Sequence, residues 1–146
     1  MAALSLPADG LVYADTPVLI CTVERHPTYW RLLRPLWESA ARGEVRVVSS
    51  EIAIAEVLVW PLRSGDTRIL AAYEGLLLGT DIRLQPIARA TLRVAARLRA
   101  ESALRTPDAI HAATAILTGC ALFVTNDKRL RHLDGVPVAV LDDLLA

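Results

Sequence analysis

The chain has 146 residues and carries 16 basic and 16 acidic side chains, so its formal net charge is zero and its pI about 6.8. That balance excludes a generally basic nucleic-acid-binding surface and leaves room only for a local anion footprint. A hydrophobic content of 53% can build one core without disulfides, yet no apolar run reaches the roughly 18 residues of a membrane span, so a soluble single domain over residues 1–146 is expected.

Met1 to Gly10 has neither the basic start nor the apolar stretch of a secretory signal, and is expected to be an N-terminal extension without an assigned role. Leu11 to Ala14 is a short β-prone run that stops at Asp15-Thr16-Pro17, where a capping residue followed by proline opens a helix. A second helix is expected from near Thr28 to Arg42, interrupted by Pro35 and stopped by Gly43, and Glu44 to Val48 reads as a strand. Ser49-Ser50 can cap the next helix, which carries the apolar stretch Ile52 to Trp60 and is expected to halt around Pro61. Asp66 to Leu78 is a further helix closed by Gly79, and Ile82 to Leu84 suits a short strand.

From Pro86 the pattern is helical. Ile87, Thr91, Val94, Ala95 and Leu98 share one face, and Arg89, Arg93 and Arg97 the opposite one, which reads as a solvated face. Thr106-Pro107-Asp108 repeats the cap-then-proline opening of a small apolar helix, Ala109 to Leu117, that ends at Gly119. Ala121 to Val124 is a buried strand leading into the turn Thr125-Asn126-Asp127, and Val136 to Leu141 is a last strand before a helical turn, Asp142 to Leu145. Short apolar strands alternating with helices imply an α/β fold with a central, mostly parallel sheet covered by helices on both faces. Cys21 and Cys120 lack any metal-binding spacing and fit reduced thiols in a cytoplasmic protein.

Four carboxylates stand where such a sheet collects ligands, or close to it. Asp15 and Asp127 follow predicted strands and Asp108 opens a helix, yet each also has an ordinary structural explanation as cap, turn residue or dipole partner. Glu56 is harder to dismiss, because Ile52 to Ala55 and Val57 to Trp60 surround it with apolar neighbours. A buried carboxylate wants a cation, and the sequence leaves open whether that is a metal or an arginine such as Arg63. Converging, the four would form an all-oxygen ligand set that selects a hard ion, Mg2+ or Mn2+, and their mutual repulsion would raise their pKa values until the ion bound.

The same segments carry a family resemblance. Val12-Tyr13-Ala14-Asp15-Thr16, Ser50 to Leu58 with Glu56, Thr106 to Ala115 with Asp108, and Thr125-Asn126-Asp127 resemble, in order, the acidic segments of PIN domains. Within that family the chain is similar to VapC-type toxin ribonucleases. The resemblance implies that Asp15, Glu56, Asp108 and Asp127 hold one or two divalent ions, with Mg2+ expected and Mn2+ an alternative. It implies cleavage of RNA by a metal-activated water, with Thr125 assisting through its hydroxyl. It also implies a homodimer and a small antitoxin protein that inserts into the active-site groove. Pro17 departs from the small polar residue common at its place. His111 is read as a satisfied, partly buried histidine, and Trp30, Trp37 and Trp60 as packing or dimer-interface residues. Two rival readings are a non-catalytic module using the fold to bind protein or RNA, and a housekeeping RNA-processing nuclease.

Overall fold

The computed structural model describes residues 2–145. Five strands and six α-helices follow one another as β1 (Leu11–Ala14), α1 (Thr16–Val23), α2 (Trp30–Ala41), β2 (Arg46–Ser50), α3 (Ile52–Ser64) and α4 (Thr67–Leu78), then β3 (Ile82–Gln85), α5 (Arg89–Ala100), α6 (Thr106–Thr118), β4 (Leu122–Thr125) and β5 (Val138–Val140). Short 3-10 turns occupy Lys128–Leu130 and Leu141–Leu144. The strands form one sheet in the order β3-β2-β1-β4-β5, and every pairing is parallel. Parallel neighbours need crossovers, which the helices supply, so both faces of the sheet are covered.

Alternation along the strands divides the interior into two cores. Val12 and Ala14 of β1 and Val124 of β4 point to a core shared with Leu19, Leu33, Leu36, Val57 and Tyr73 from α1 to α4. Tyr13 and Phe123, one residue out of phase with them, point to the opposite core beneath α5 and α6. There Ala109, Ala112 and Ala113 are fully buried, and their small side chains let α6 lie close on the sheet. Gly119 ends α6 in the left-handed region at φ 70°, where a residue without a β-carbon is favoured.

Several boundaries differ from those expected. β2 begins at Arg46 rather than Glu44, because Glu44 is held by Arg42 at 2.7 Å and by Ser39 in the turn after α2. The strand then runs through Ser49 and Ser50, which pair with Leu84 and Gln85. α3 does not halt at Pro61 but continues to Ser64 and ends at Gly65, φ 70°. A proline near the end of a helix forfeits its own N–H bond without preventing the last turn. Pro35 likewise lies inside a continuous α2, α5 starts at Arg89 rather than Pro86, and Thr106 is a helical residue preceded by Arg105 rather than a cap. The N-terminal segment is tied down: Ala2 N–H donates to Leu144 O at 2.7 Å and Leu4 is buried in the first core. Among the described residues, no helix is long and apolar enough to cross a membrane.

Because the chain adds β2 and β3 on one side of β1 and β4 and β5 on the other, the connections diverge between β1 and β4. The carboxyl ends of these two strands, Ala14 and Thr125, therefore border the crevice in which open parallel sheets bind ligands. A cavity of about 820 Å³ lies at the other end of the sheet, between Leu11, Trp37, Arg46 and Asp81, away from these residues.

Candidate functional site

Asp15 leaves β1 and caps α1. Its backbone is extended (φ −70°, ψ 161°), its Oδ1 accepts the Thr16 N–H at 2.9 Å, and its Oδ2 accepts the Thr125 hydroxyl at 2.7 Å. The residue is only 3% exposed, and among the described residues no lysine or arginine pairs with it. Burial pushes its carboxyl above the usual range, against the opposing pull of His111, Thr125 and the Thr16 N–H.

Glu56 projects from α3 toward the same place. Its Oε1 lies 2.6 Å from His111 Nε2 and accepts the Thr16 hydroxyl at 2.8 Å. Of the two partners left open by the sequence, Arg63 makes no ion pair with Glu56 among the described residues, and the group found beside the carboxylate is the His111 imidazole. Burial raises the Glu56 carboxyl, but the hydrogen bond and charge of His111, with Thr16, outweigh it and hold the group below its ordinary value. His111 itself is 1% exposed on α6, with Nδ1 2.6 Å from the Tyr13 hydroxyl and Nε2 also 3.7 Å from Asp15 Oδ1. Desolvation lowers its pKa, and the bond to Glu56 with the charges of Asp15 and Glu56 outweighs that, so the imidazole is raised. It is satisfied and buried, as expected, but what satisfies it is the acidic site.

The other two carboxylates form a second pair. Asp108, in the first turn of α6, has Oδ2 3.0 Å from Arg129 Nη2 and 3.7 Å from Arg105 Nε. Asp127 caps the turn after β4, its Oδ1 accepting the Arg129 N–H at 2.9 Å and its Oδ2 lying 2.7 Å from Arg129 Nη2. These bonds to Arg129 hold the Asp127 carboxyl below the usual range. Thr125 joins the two pairs, donating to Asp15 Oδ2 while its Oγ1 accepts the Asp127 N–H at 3.0 Å. α6 joins them as well, through Asp108 and His111 one turn apart.

The tertiary structure thus gathers all five sequence-predicted residues at one end of the sheet, as two carboxylate pairs, one beside the His111 imidazole and one bridged by the Arg129 guanidinium. Among the described residues, no three His, Cys, Asp or Glu side chains stand together as a ready metal cage. The expected general rise in carboxyl pKa values is found at Asp15 and reversed at Glu56 and Asp127, because His111 and Arg129 supply the compensating charge. The sequence reading missed Tyr13, Thr16 and Arg129. The only signal for them was adjacency, since Tyr13 and Thr16 flank the Ala14-Asp15 step and Arg129 follows Asp127 by two positions.

The raised His111 pKa gives a measurable expectation. In Glu56→Gln the imidazole loses its nearest negative charge, so its titration, followed by two-dimensional 1H–15N NMR of the ring nitrogens, moves to lower pH than in the unaltered protein. The sign for stability follows from the same shift. Protonated His111 stabilises the fold fully below its ordinary value of 6.5, and that contribution is lost as pH rises through the raised value. An unchanged imidazole titration in the variant would show that Glu56 does not hold the proton.

The PIN domain family model matches residues 12–136, which takes in all of the site. No curated protein matches the chain. Among solved structures, VapBC2 from Rickettsia felis, bound to a DNA fragment from its promoter, superposes with a TM-score of 0.69 at 15% identity, covering 89% of this chain and 98% of that one. The DNA-bound VapBC from Salmonella typhimurium gives a TM-score of 0.68 at 19% identity over 89% of this chain and 97% of that one. VapBC-5 from Mycobacterium tuberculosis, a member of the VapBC family of toxin-antitoxin systems, is 25% identical with a TM-score of 0.55, over 92% of this chain and 98% of that one.

Proposed function

From the premise that this chain belongs to the PIN domain family, we propose that it is a divalent-cation-dependent endoribonuclease, the toxin of a VapBC-type toxin-antitoxin pair acting as one domain in the cytoplasm. The observation that carries the catalytic part is Asp15: a carboxylate almost fully buried at the divergence point of the sheet, without a guanidinium or ammonium partner among the described residues and with only the His111 imidazole, shared with Glu56, at 3.7 Å. Burying such a group is unfavourable unless a cation compensates it.

The residues suit a hard cation. Asp15, Glu56, Asp108 and Asp127 offer carboxylate oxygen, Thr125 offers a hydroxyl next to Asp15, and no thiol lies among them. These four acids would hold Mg2+, with Mn2+ as a substitute. When bound, the ion supplies Lewis-acid activation of water and stabilises charge developing on a phosphodiester. The chain's own groups orient and insulate that chemistry: Thr16 N–H and Thr125 fix the two oxygens of Asp15, and Thr16 with His111 fixes Glu56 Oε1. Tyr13 in turn fixes the His111 ring from below, through Nδ1.

The partner reading has its own support. VapBC-5 from Mycobacterium tuberculosis, at 25% identity, is described as part of a toxin-antitoxin family, and a small antitoxin is accordingly proposed for this chain. Val59, Trp60 and Leu62 on α3 and Leu78 on α4 are exposed, Trp60 at 69%, which gives a proposed homodimer or antitoxin contact an apolar surface. Trp37, by contrast, is committed to packing, with its Nε1 donating to Thr22. Two free cysteines fit a reducing compartment. One observation favours the non-catalytic module instead: Asp108 and Asp127 are already bridged by Arg129, which offsets one of their two charges.

The test is cleavage of RNA by the purified protein in Mg2+ or Mn2+, with and without EDTA. Cleavage is expected with either ion and is expected to be abolished by the chelator. Cleavage that survives chelation removes the metal-nuclease reading, and failure to bind either ion in calorimetry supports the binding module.

A further inference from the structure

The proposed cation dependence leaves one feature unused, the arginine lying across half of the acidic set. A single nitrogen of Arg129, Nη2, is 2.7 Å from Asp127 Oδ2 and 3.0 Å from Asp108 Oδ2, although the two acids come from different elements. Its Nε adds bonds of 3.0 and 3.2 Å to the two oxygens of Asp127. The guanidinium therefore stands where the oxygens of these two carboxylates converge, and a second positive group at that point would meet both its volume and its charge.

No neighbouring cation could take over this task. Arg131 is tied to both oxygens of Asp143, at 2.8 and 2.5 Å. Arg105 is 76% exposed and reaches Asp108 only at 3.7 Å. Among the described residues Lys128 makes no ion pair. The clamp is also of a kind that opens readily. The Arg129 side chain is 46% exposed, and pairs so open to water are weak and entropically costly to hold. The turn does not depend on it, because Asp127 Oδ1 caps Lys128–Leu130 through the Arg129 backbone N–H, which any side chain leaves in place.

Resting on the reading that the acidic set takes a divalent ion, we infer that Arg129 is an internal counter-ion that competes with that ion for Asp108 and Asp127. The guanidinium offsets one of the two negative charges in the metal-free protein, and the ion gains these two carboxylates only as Arg129 swings away from them. Occupancy of the site is then set by the difference between two cations for the same oxygens, so Arg129 lowers the affinity for the ion while sparing the metal-free protein its charge repulsion.

The experiment is calorimetric titration of Mn2+ into the full chain and into Arg129→Ala, with Arg129→Gln, which loses the charge but keeps much of the length, as the second variant. Both are expected to bind Mn2+ more tightly than the unaltered protein, by about two- to fivefold, the span corresponding to removal of one exposed ion-pair competitor. Their melting temperatures are expected to be lower without the ion and to rise more when it is added. Binding that is unchanged or weaker in both variants overturns the inference, since it makes Arg129 a bystander or a support for the ligands. If the unaltered protein and the variants all fail to bind Mn2+, the inference falls together with the metal-nuclease reading; if all bind equally, the inference falls alone.

Discussion

Asp15→Asn is expected to lower cation-dependent RNA cleavage by at least about a hundredfold while leaving the metal-free protein as stable as before or more so. The loss follows from removing the one buried carboxylate that has no lysine or arginine partner among the described residues, and groups of this kind contribute on the order of a hundredfold or more to rate or metal affinity. The stability follows from the sign of its pKa shift. Burial raises the folded carboxyl above its ordinary value of 3.8, so the ionised form opposes folding at neutral pH, and an amide removes that opposition. The geometry accommodates the change: the amide oxygen can accept the Thr16 N–H, and the amide nitrogen can donate toward the Thr125 oxygen. Cleavage rates measured beside urea unfolding curves separate the two effects. A variant that cleaves at the full rate would remove Asp15 from the chemistry, and one that unfolds easily would make it a structural cap.

Phe123→Ala is expected to cost about 3–5 kcal/mol of stability, the usual range for deleting a buried aromatic ring. Phe123 is fully buried in β4, with its ring stacked on Tyr13 of β1 at 4.9 Å between centroids and 6° between planes. The damage should reach the site, because Tyr13 carries the hydroxyl that holds His111 Nδ1, and His111 holds Glu56. Denaturant unfolding gives the first quantity, and loss of the shifted His111 titration gives the second. A cost below about 1 kcal/mol would mean that the core beneath α6 collapses to fill the space, contrary to the close packing of its alanines.

The elements were legible in the sequence wherever local chemistry decides them. Asp15 before Thr16-Pro17, Gly119 after α6 and the apolar run of β1 each stand where expected, and β4 is displaced by one residue, to Leu122–Thr125. The misses were of another kind. β2 takes its register from Leu11 opposite Arg46, a contact between distant segments, while Glu44 is drawn into the turn by Arg42. α3 runs past Pro61, since the penalty for one missing hydrogen bond is too local to stop a helix that is packed on α1 and α4.

By itself the sequence indicated the α/β alternation and a mostly parallel sheet, because periodicity, caps and residue type are local properties that need no partner, while Asp15, Glu56, Asp108 and Asp127 were singled out by their resemblance to the acidic segments of PIN domains. How those acids are charged was decided only by the tertiary structure. Glu56 meets His111 across 55 positions and Asp108 meets Arg129 across 21, and such pairings arise from helix packing that no spacing rule encodes. The burial of Asp15 likewise exists only once β1 lies between β2 and β4 and Thr125 closes over it.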